Sequence, residues 1–175
     1  MSATVVLLRG VNVGGHRTFR PAVLARELEH LGAVNIGAAG TFVIRQAIGR
    51  ERLRAEIARR LPFEADIMMC DGREIVTLLS RDCFTGYPER KDLVRFVSVL
   101  SRRPRATPVL PMSLPASGAW MLRVLALDGR LAVGVYRRHM KSIAHLATLD
   151  RRLGVSVTTR SWSTVTAIAA VLNDR

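Results

Sequence analysis

The residues best suited to binding chemistry lie close together, directly after an apolar run near the N-terminus. They combine cationic and amide side chains with glycines, and they are Arg9, Gly10, Asn12, Gly14, Gly15, His16 and Arg17. Glycines between a strand and a helix leave backbone N–H groups open to an anion, and a helix N-terminus favours negative charge. The stretch therefore predicts a site for a phosphate-bearing ligand. It equally fits a tight connection whose glycines supply positive φ and whose polar side chains face water.

Other common chemical motifs are missing from the sequence. The glycine spacing matches neither G-x-G-x-x-G nor the phosphate-binding loop with its Lys-Ser/Thr pair. His139 and His145 lie six residues apart, and Cys70 and Cys83 form no C-x-x-C pair. Structural zinc needs about four soft ligands at tight spacing, so we predict no metal site. No G-x-S-x-G stretch occurs, and catalytic residues and cofactors therefore stay undefined.

A second group of candidate ligands lies in the C-terminal third of the chain. Lys141 ends the basic run YRRHMK at the start of a predicted helix. Cations at a helix N-terminus oppose the helix dipole. A bound anion would remove this conflict, and it would also be absent if Arg137 and Arg138 lay before the N-cap residue. Arg160 and Trp162 lie before the last predicted helix. We expect Trp162 to pack in a core or interface, and Arg160 to stack on an aromatic ring or pair with a carboxylate.

The charge balance is strongly basic. Among 175 residues, 27 are Lys or Arg and 14 are Asp or Glu, which gives a formal net charge of +13. Residues 1–88 hold 12 basic and 9 acidic side chains, whereas residues 89–175 hold 15 and 5. Such a one-sided field favours nucleotide or nucleic-acid partners. An aromatic content of 5% weakens the case for single-strand binding, which usually needs aromatic rings for stacking. Alternatively, the high arginine content reflects Arg-rich codon usage, which would place arginines on solvent-exposed faces without a binding role.

The composition is that of a globular protein, with 49% hydrophobic and 23% charged residues. No window approaches eighteen apolar residues, and residues 1–8 lack the basic start and cleavage site of a signal peptide. We therefore expect a cytoplasmic protein without membrane association.

The apolar patterns predict an α+β fold with two lobes, residues 1–88 and 89–175, which could also form one compact domain. The first lobe is expected to be a ferredoxin-like βαββαβ unit, with strands at 4–9, 34–38, 41–45 and 65–70 and helices from Pro21 to Gly32 and at 50–61. A short helix at 73–80 follows.

The second lobe is expected to be α+β, with a β-hairpin and two C-terminal helices. The turn pair Asp128-Gly129 predicts the hairpin. A strand is predicted at 93–100, and a helix at 140–153 with Ile143 on its apolar side. A last helix capped by Ser161 follows it. Residues 101–118 hold four of the seven prolines and predict extended chain.

Two stretches, LLRGVNVGG and LGVSVTTRSWSTV, together resemble an uncharacterised bacterial family of unknown function. Its members open with LLRG-Ile/Val-NVGG and close with a segment like TRNWNT. The resemblance spans nearly the whole chain, and it implies an α+β fold that begins with a ferredoxin-like unit. It implies no established activity, substrate or cofactor. The matching positions are Arg9, Gly10, Asn12, Gly14, Gly15, Arg160, Trp162 and Thr164.

The chain departs from this family at several polar positions. Residues 38–41, Ala-Ala-Gly-Thr, replace a Gln-Ser-Gly-Asn turn, and Ser161 and Ser163 replace two asparagines. An expected Ser-Lys pair is matched only in reverse, as Lys141-Ser142. If the family has a shared site, this chain is expected to have altered it.

Three functions therefore stay open. The first is a binding module for a phosphate-bearing or polyanionic ligand, a nucleotide or nucleic acid, that uses the loop at 9–17 with Lys141 and Arg160. The second is a small enzyme acting on an anionic metabolite through Asn12, His16 and Lys141. The third is a non-catalytic scaffold that pairs with a partner, or self-associates as a homo-oligomer, through a strand edge or Trp162.

Overall fold

The structure is a computed structural model that describes residues 3–174. It contains two antiparallel sheets with helices, which confirms the predicted α+β class. The chain divides into two compact units, residues 1–79 with 164–175 and residues 80–163. The sequence-based division at residue 88 stays a prediction. Within the described part of the chain, no helix is long and apolar enough to span a bilayer.

The first unit carries a four-stranded sheet in the order β2-β3-β1-β4, with every neighbouring pair antiparallel. Helices α1 and α2 each connect two strands that have a third strand between them. The elements are β1 Thr4–Arg9, α1 Pro21–Glu27, β2 Ala33–Asn35, β3 Thr41–Ile44, α2 Arg50–Ala58, β4 Asp66–Asp71 and α3 Gly72–Leu79, with a 3₁₀ turn at Glu29–Leu31.

The core of this unit lies between the sheet and helices α1 and α2. β1 is a β-branched and aliphatic run whose residues 5–8 are all buried. Helix α1 begins at Pro21, which suits the first helical position because it lacks an N–H. The 3₁₀ turn after it ends at Gly32, where φ is +63°. β1 is thereby held at the centre of the sheet, and its end at Arg9 lies opposite Asp66 of β4.

The connection between β2 and β3 is longer than the two residues that separate the predicted strands at 34–38 and 41–45. β2 ends at Asn35, and residues 36–40 leave the sheet before β3 begins. Gly37 and Gly40 both have positive φ, +69° and +68°. The backbone N–H of Leu8 in β1 donates to the carbonyl oxygen of Gly40 at 2.8 Å, which draws this loop toward the end of β1.

The second unit carries a five-stranded antiparallel sheet in the order β6-β7-β8-β5-β9. The predicted hairpin is confirmed, since Asp128 pairs with Leu131 across the turn and Gly129 has φ +60°. Its elements are β5 Leu93–Leu100, β6 Met112–Leu114, β7 Leu122–Asp128, β8 Leu131–Arg137, α4 Met140–Leu146, α5 Leu149–Leu153 and β9 Val157–Ser161. Helix α6, Trp162–Asn173, follows and belongs to the first unit from Thr164 onward.

The single helix predicted at 140–153 is wrong, because the chain breaks between α4 and α5. Thr148 at the break donates its hydroxyl to the carbonyl oxygen of His145 at 2.8 Å. The predicted inward face is also wrong in α4, where Ile143 is 54% exposed and Ser142 is buried. The Ser142 hydroxyl donates to the carbonyl oxygen of Met121 at 3.3 Å. A backbone acceptor beside the helix thus selects the polar residue for the inner side.

Candidate functional site

The loop that follows β1 is a small hairpin and not an open strand-to-helix connection. The N–H of Asn12 donates to the carbonyl oxygen of Arg17 at 3.2 Å, and the N–H of His16 donates to Val13 at 3.1 Å. Gly14 and Gly15, between them, have φ +58° and +76°. Two successive residues at positive φ are what a type I′ turn requires. The glycines therefore serve the conformation of the turn tip.

Asn12 ties this hairpin to the rest of the first unit. Its side-chain Nδ2 donates to the carbonyl oxygen of Ala38 at 2.8 Å, and its Oδ1 accepts from the N–H of Phe19 at 2.9 Å. Asn12 itself has φ +54°, a conformation that asparagine adopts more readily than most residues. Both polar groups of the amide are thus engaged within the protein.

The hairpin rests on Gly40, which the sequence indicated only as a turn residue. A Cβ at this position would lie 2.8 Å from Cγ2 of Val11 and 2.9 Å from Cβ of Leu8. Val11 is 3% exposed and is the apolar anchor of the hairpin. Glycine is required here for its positive φ and for the close approach of neighbouring side chains. By contrast, no atom lies within 4 Å of a Cβ placed on Gly14 or Gly15.

A cleft of about 640 Å³ lies beside this loop. Its walls come from the loop, α2, the connection from α2 to β4 and the start of β4, and they include Arg17, Arg54, Leu61, Phe63, Glu64 and Asp66. Arg17 is exposed at φ +47°, and its side chain makes no hydrogen bond or ion pair with any described residue. Arg54 Nη1 donates to the carbonyl oxygen of Ile67 at 2.6 Å, which holds its guanidinium at the wall.

The charges around the cleft are of both signs. Arg9 Nη1 lies 3.2 Å from Oδ2 of Asp66, so this cation and this carboxylate offset each other. Because both side chains are well exposed, the pair contributes about 0–1 kcal/mol to stability. Arg17 and Arg54 then face a single further carboxylate, Glu64. The lining itself holds two arginines and two carboxylates, and the net charge becomes positive when Arg9, which pairs with Asp66 from outside the lining, is counted.

One aromatic ring, that of Phe63, lines the cleft and also packs against the core of the first unit. Phe63 contacts Phe19 edge-on, with centroids 6.0 Å apart and planes at 84°. Sequence reasoning did not select Phe63 or Arg54. Phe63 follows a helix end and Arg54 lies on the polar side of α2, so neither has a local signal that separates it from ordinary surface or core residues.

The other predicted site residues, Lys141, Arg160 and Trp162, belong to the second unit. Lys141 is exposed on α4, and its N–H donates to Nδ1 of His139 at 3.1 Å. His139 is thus the N-cap of that helix, and Arg138 precedes the cap. Because Arg137 and Arg138 both precede the N-cap residue, their predicted conflict with the dipole of α4 is small.

Arg160 lies in β9 and is 8% exposed. Its Nη1 donates to Oγ1 of Thr158 and to the carbonyl oxygen of Thr159, both at 2.9 Å. Burial lowers the pKa of Arg160 to about 10, because the charged form loses hydration. The guanidinium therefore serves hydrogen bonds inside the unit.

Trp162 is half-buried and contacts Phe84 edge-on, with centroids 4.8 Å apart and planes at 87°. The guanidinium carbon of Arg95 lies 4.6 Å from the centroid of the same Phe84 ring. The expected packing of this tryptophan is therefore seen as a ring contact within the second unit.

Comparison with known proteins gives a family and a fold. No curated protein matches the chain. The structure is similar to that of the conserved bacterial protein SP0830 from Streptococcus pneumoniae, with a TM-score of 0.62 and 16% identity over 98% of this chain and 99% of the other. At that identity the likeness shows the fold alone. The family model of the proteins of unknown function DUF1697 matches residues 1–118, well over half of the chain. The predicted resemblance to an uncharacterised family is thereby confirmed, and the chain belongs to the DUF1697 family.

Proposed function

We propose that this protein binds a small phosphate-bearing ligand of nucleotide size in the cleft of the first unit. The observation that carries the proposal is that Arg17 and Arg54 line one cleft beside the glycine turn. The cleft volume of about 640 Å³ lies within the 300–1,000 Å³ that is common for small-ligand sites. The family membership adds no ligand to this argument.

Arg17 is the group most suited to a direct contact with the ligand. Its guanidinium makes no bond to the described residues and presents several N–H donors, which match the oxygens of a phosphate. A non-glycine residue at positive φ costs of order 1 kcal/mol or more, and such strain clusters at ligand sites. Arg54 differs because its bond to Ile67 already orients it, so little entropy is lost when a ligand binds.

The remaining polar groups of the loop have supporting roles in this proposal. Asn12 positions the hairpin through its two amide hydrogen bonds. Arg9 offsets the charge of Asp66, which would otherwise repel an anion from the cleft. Phe63 lines the cleft and supplies an aromatic ring against which a base or another planar group can pack.

The test is the binding of a fluorescent mant-ADP probe measured by anisotropy. We expect Arg17→Ala to raise the Kd about tenfold or more, because a hydrogen bond to a charged group contributes about 1.5–3 kcal/mol. Arg26→Ala is the matched control, since Arg26 is exposed on α1 outside the cleft lining. Inorganic pyrophosphate should displace the probe. The proposal is wrong if the probe does not bind, or if the two variants have the same Kd.

A further inference from the structure

We infer that the second unit carries a separate site, an arginine-rich surface that binds the phosphate backbone of double-stranded nucleic acid. This surface, called the arginine end, comprises Arg102, Arg103, Arg130, Arg151 and Arg152. None of these residues belongs to the cleft of the first unit. The inference therefore does not depend on the proposed small-ligand site.

Backbone hydrogen bonds bring three segments of the chain together at this end of the sheet. The N–H of Leu100, the last residue of β5, donates to the carbonyl oxygen of Arg130 at 2.8 Å. The next N–H, of Ser101, donates to Ser156 at 2.9 Å. The segment after β5 thus runs between the β7–β8 turn and the connection from α5 to β9. Arginines from all three segments are therefore neighbours, although they are distant in sequence.

The arginine side chains lie against backbone in this region. Arg102 Nη2 lies 3.5 Å from the carbonyl oxygen of Gly154, and Arg130 Nη1 lies 3.5 Å from that of Ser101. A Cβ on Gly129 would lie 3.8 Å from Nη2 of Arg103. Arg102 also lines an open cleft of about 360 Å³ with Arg151. Arg102, Arg103, Arg130 and Arg151 therefore border one region of the surface, and Arg152 follows Arg151 in α5.

Most of this positive charge is not offset by carboxylates. Arg102, Arg103, Arg151 and Arg152 are exposed, and none of them forms an ion pair with a carboxylate among residues 3–174. One carboxylate, Asp150, lies among them in the lining of the 360 Å³ cleft, and the nearby Asp128 pairs with Arg81 at 3.0 Å. These arginines therefore hold positive charge that is available to an anionic partner.

Several other arginines of the second unit are engaged with side chains. Arg123 and Arg137 place their guanidinium carbons 4.7 and 4.4 Å from the ring centroid of Trp120. Arg90 forms two hydrogen bonds with Asp92, at 2.8 and 2.9 Å. The unit holds 15 basic and 5 acidic residues. Four of its exposed arginines belong to the arginine end, and Arg105 and Arg138 are exposed outside it.

The chemistry of the arginine end favours a regular array of phosphates. Guanidinium groups bind phosphate oxygens in a fixed fork geometry. From the β7–β8 turn to β9 the sheet spans two to three strand spacings, roughly 10–14 Å. Duplex DNA carries one charge per roughly 1.7 Å of its axis, so several phosphates face this span. The surface includes no aromatic residue for stacking, which favours a duplex backbone over a single strand.

The test is a salt series with a fluorescent DNA duplex of mixed sequence, measured by anisotropy. Four exposed arginines contacting four phosphates predict that affinity falls about 150-fold between about 50 and 200 mM salt. In Arg102→Ala/Arg151→Ala the same interval should lower the affinity only about 12-fold. Arg26→Ala/Arg50→Ala removes equal charge from exposed positions of the first unit and should keep the wild-type salt dependence. Circular dichroism melting curves confirm that each variant folds.

Four outcomes would overturn the inference. The first is that the duplex does not bind at about 50 mM salt, and the second is that the affinities of the two double variants depend on salt in the same way. Displacement by polyglutamate as effective as by unlabelled duplex would instead identify an acidic protein partner. Displacement by mant-ADP would place the duplex at the small-ligand cleft. Because mant-ADP binding to Arg102→Ala/Arg151→Ala is measured separately, failure of this inference and failure of the proposed function are distinguishable.

Discussion

Replacing Asn12 by alanine is expected to lower the free energy of unfolding by about 3 kcal/mol. The change removes two hydrogen bonds, from Nδ2 to Ala38 at 2.8 Å and from the N–H of Phe19 to Oδ1 at 2.9 Å. Each contributes about 1 kcal/mol net, so the pair contributes about 2 kcal/mol. Alanine at φ +54° adds about 1 kcal/mol of strain that asparagine largely avoids.

Asn12→Gly separates these two contributions. Glycine adopts positive φ without strain, so only the lost hydrogen bonds should remain, about 2 kcal/mol. Urea unfolding followed by circular dichroism measures both variants. Val13→Ala is the control, since Val13 lies at the start of the same turn and is 66% exposed. If Asn12→Ala were as mild as Val13→Ala, the amide would not hold the hairpin and its positioning role would be refuted.

Three further experiments test the packing of Gly40, the ring contact of Phe84 and the burial of Cys83. Gly40→Ala should cost about 3 kcal/mol because its Cβ would overlap two side chains, whereas Gly14→Ala should cost about 1 kcal/mol from its positive φ alone; equal urea midpoints would contradict this. Phe84→Ala should cost about 3–4 kcal/mol and shift the fluorescence of Trp162, whose ring it contacts; an unchanged emission spectrum would argue against that contact. Burial raises the pKa of the Cys83 thiol, so iodoacetamide should alkylate it more slowly than free cysteine at about pH 8; mass spectrometry measures the rate, and an equal rate would count against the burial.

The strands and the hairpin were predictable because their signals are local. The run LVRFVSVL forms β5 at Leu93–Leu100, as predicted, because β-branched residues fit a pleated and buried surface. The hairpin forms where the pair Asp128-Gly129 predicted it, with Gly129 and Arg130 as the two turn residues and Gly129 at positive φ. In both cases a few neighbouring residues decide the conformation, and the sequence contains all of them.

The strands that the sequence did not reveal depend on distant partners. β6 has only three residues within a proline-rich segment and exists through its pairing with β7. β9 is rich in threonine and pairs with β5, from which it is separated by about fifty residues. Neither has an alternating apolar pattern of its own. Their positions follow from the sheet that receives them, and not from their local composition.

The structure also separates residues that the motif LLRGVNVGGHR presents as equivalent. Asn12 and Arg9 have their polar groups engaged, by loop hydrogen bonds and by Asp66. Arg17 and the glycines of the turn tip remain exposed to solvent, and Arg17 lines the cleft. The sequence pattern indicates this loop as a candidate site, because glycines and polar residues cluster there. Only the tertiary partners decide which side chains hold the loop and which can contact a ligand, and the binding tests on Arg17 follow from that distinction.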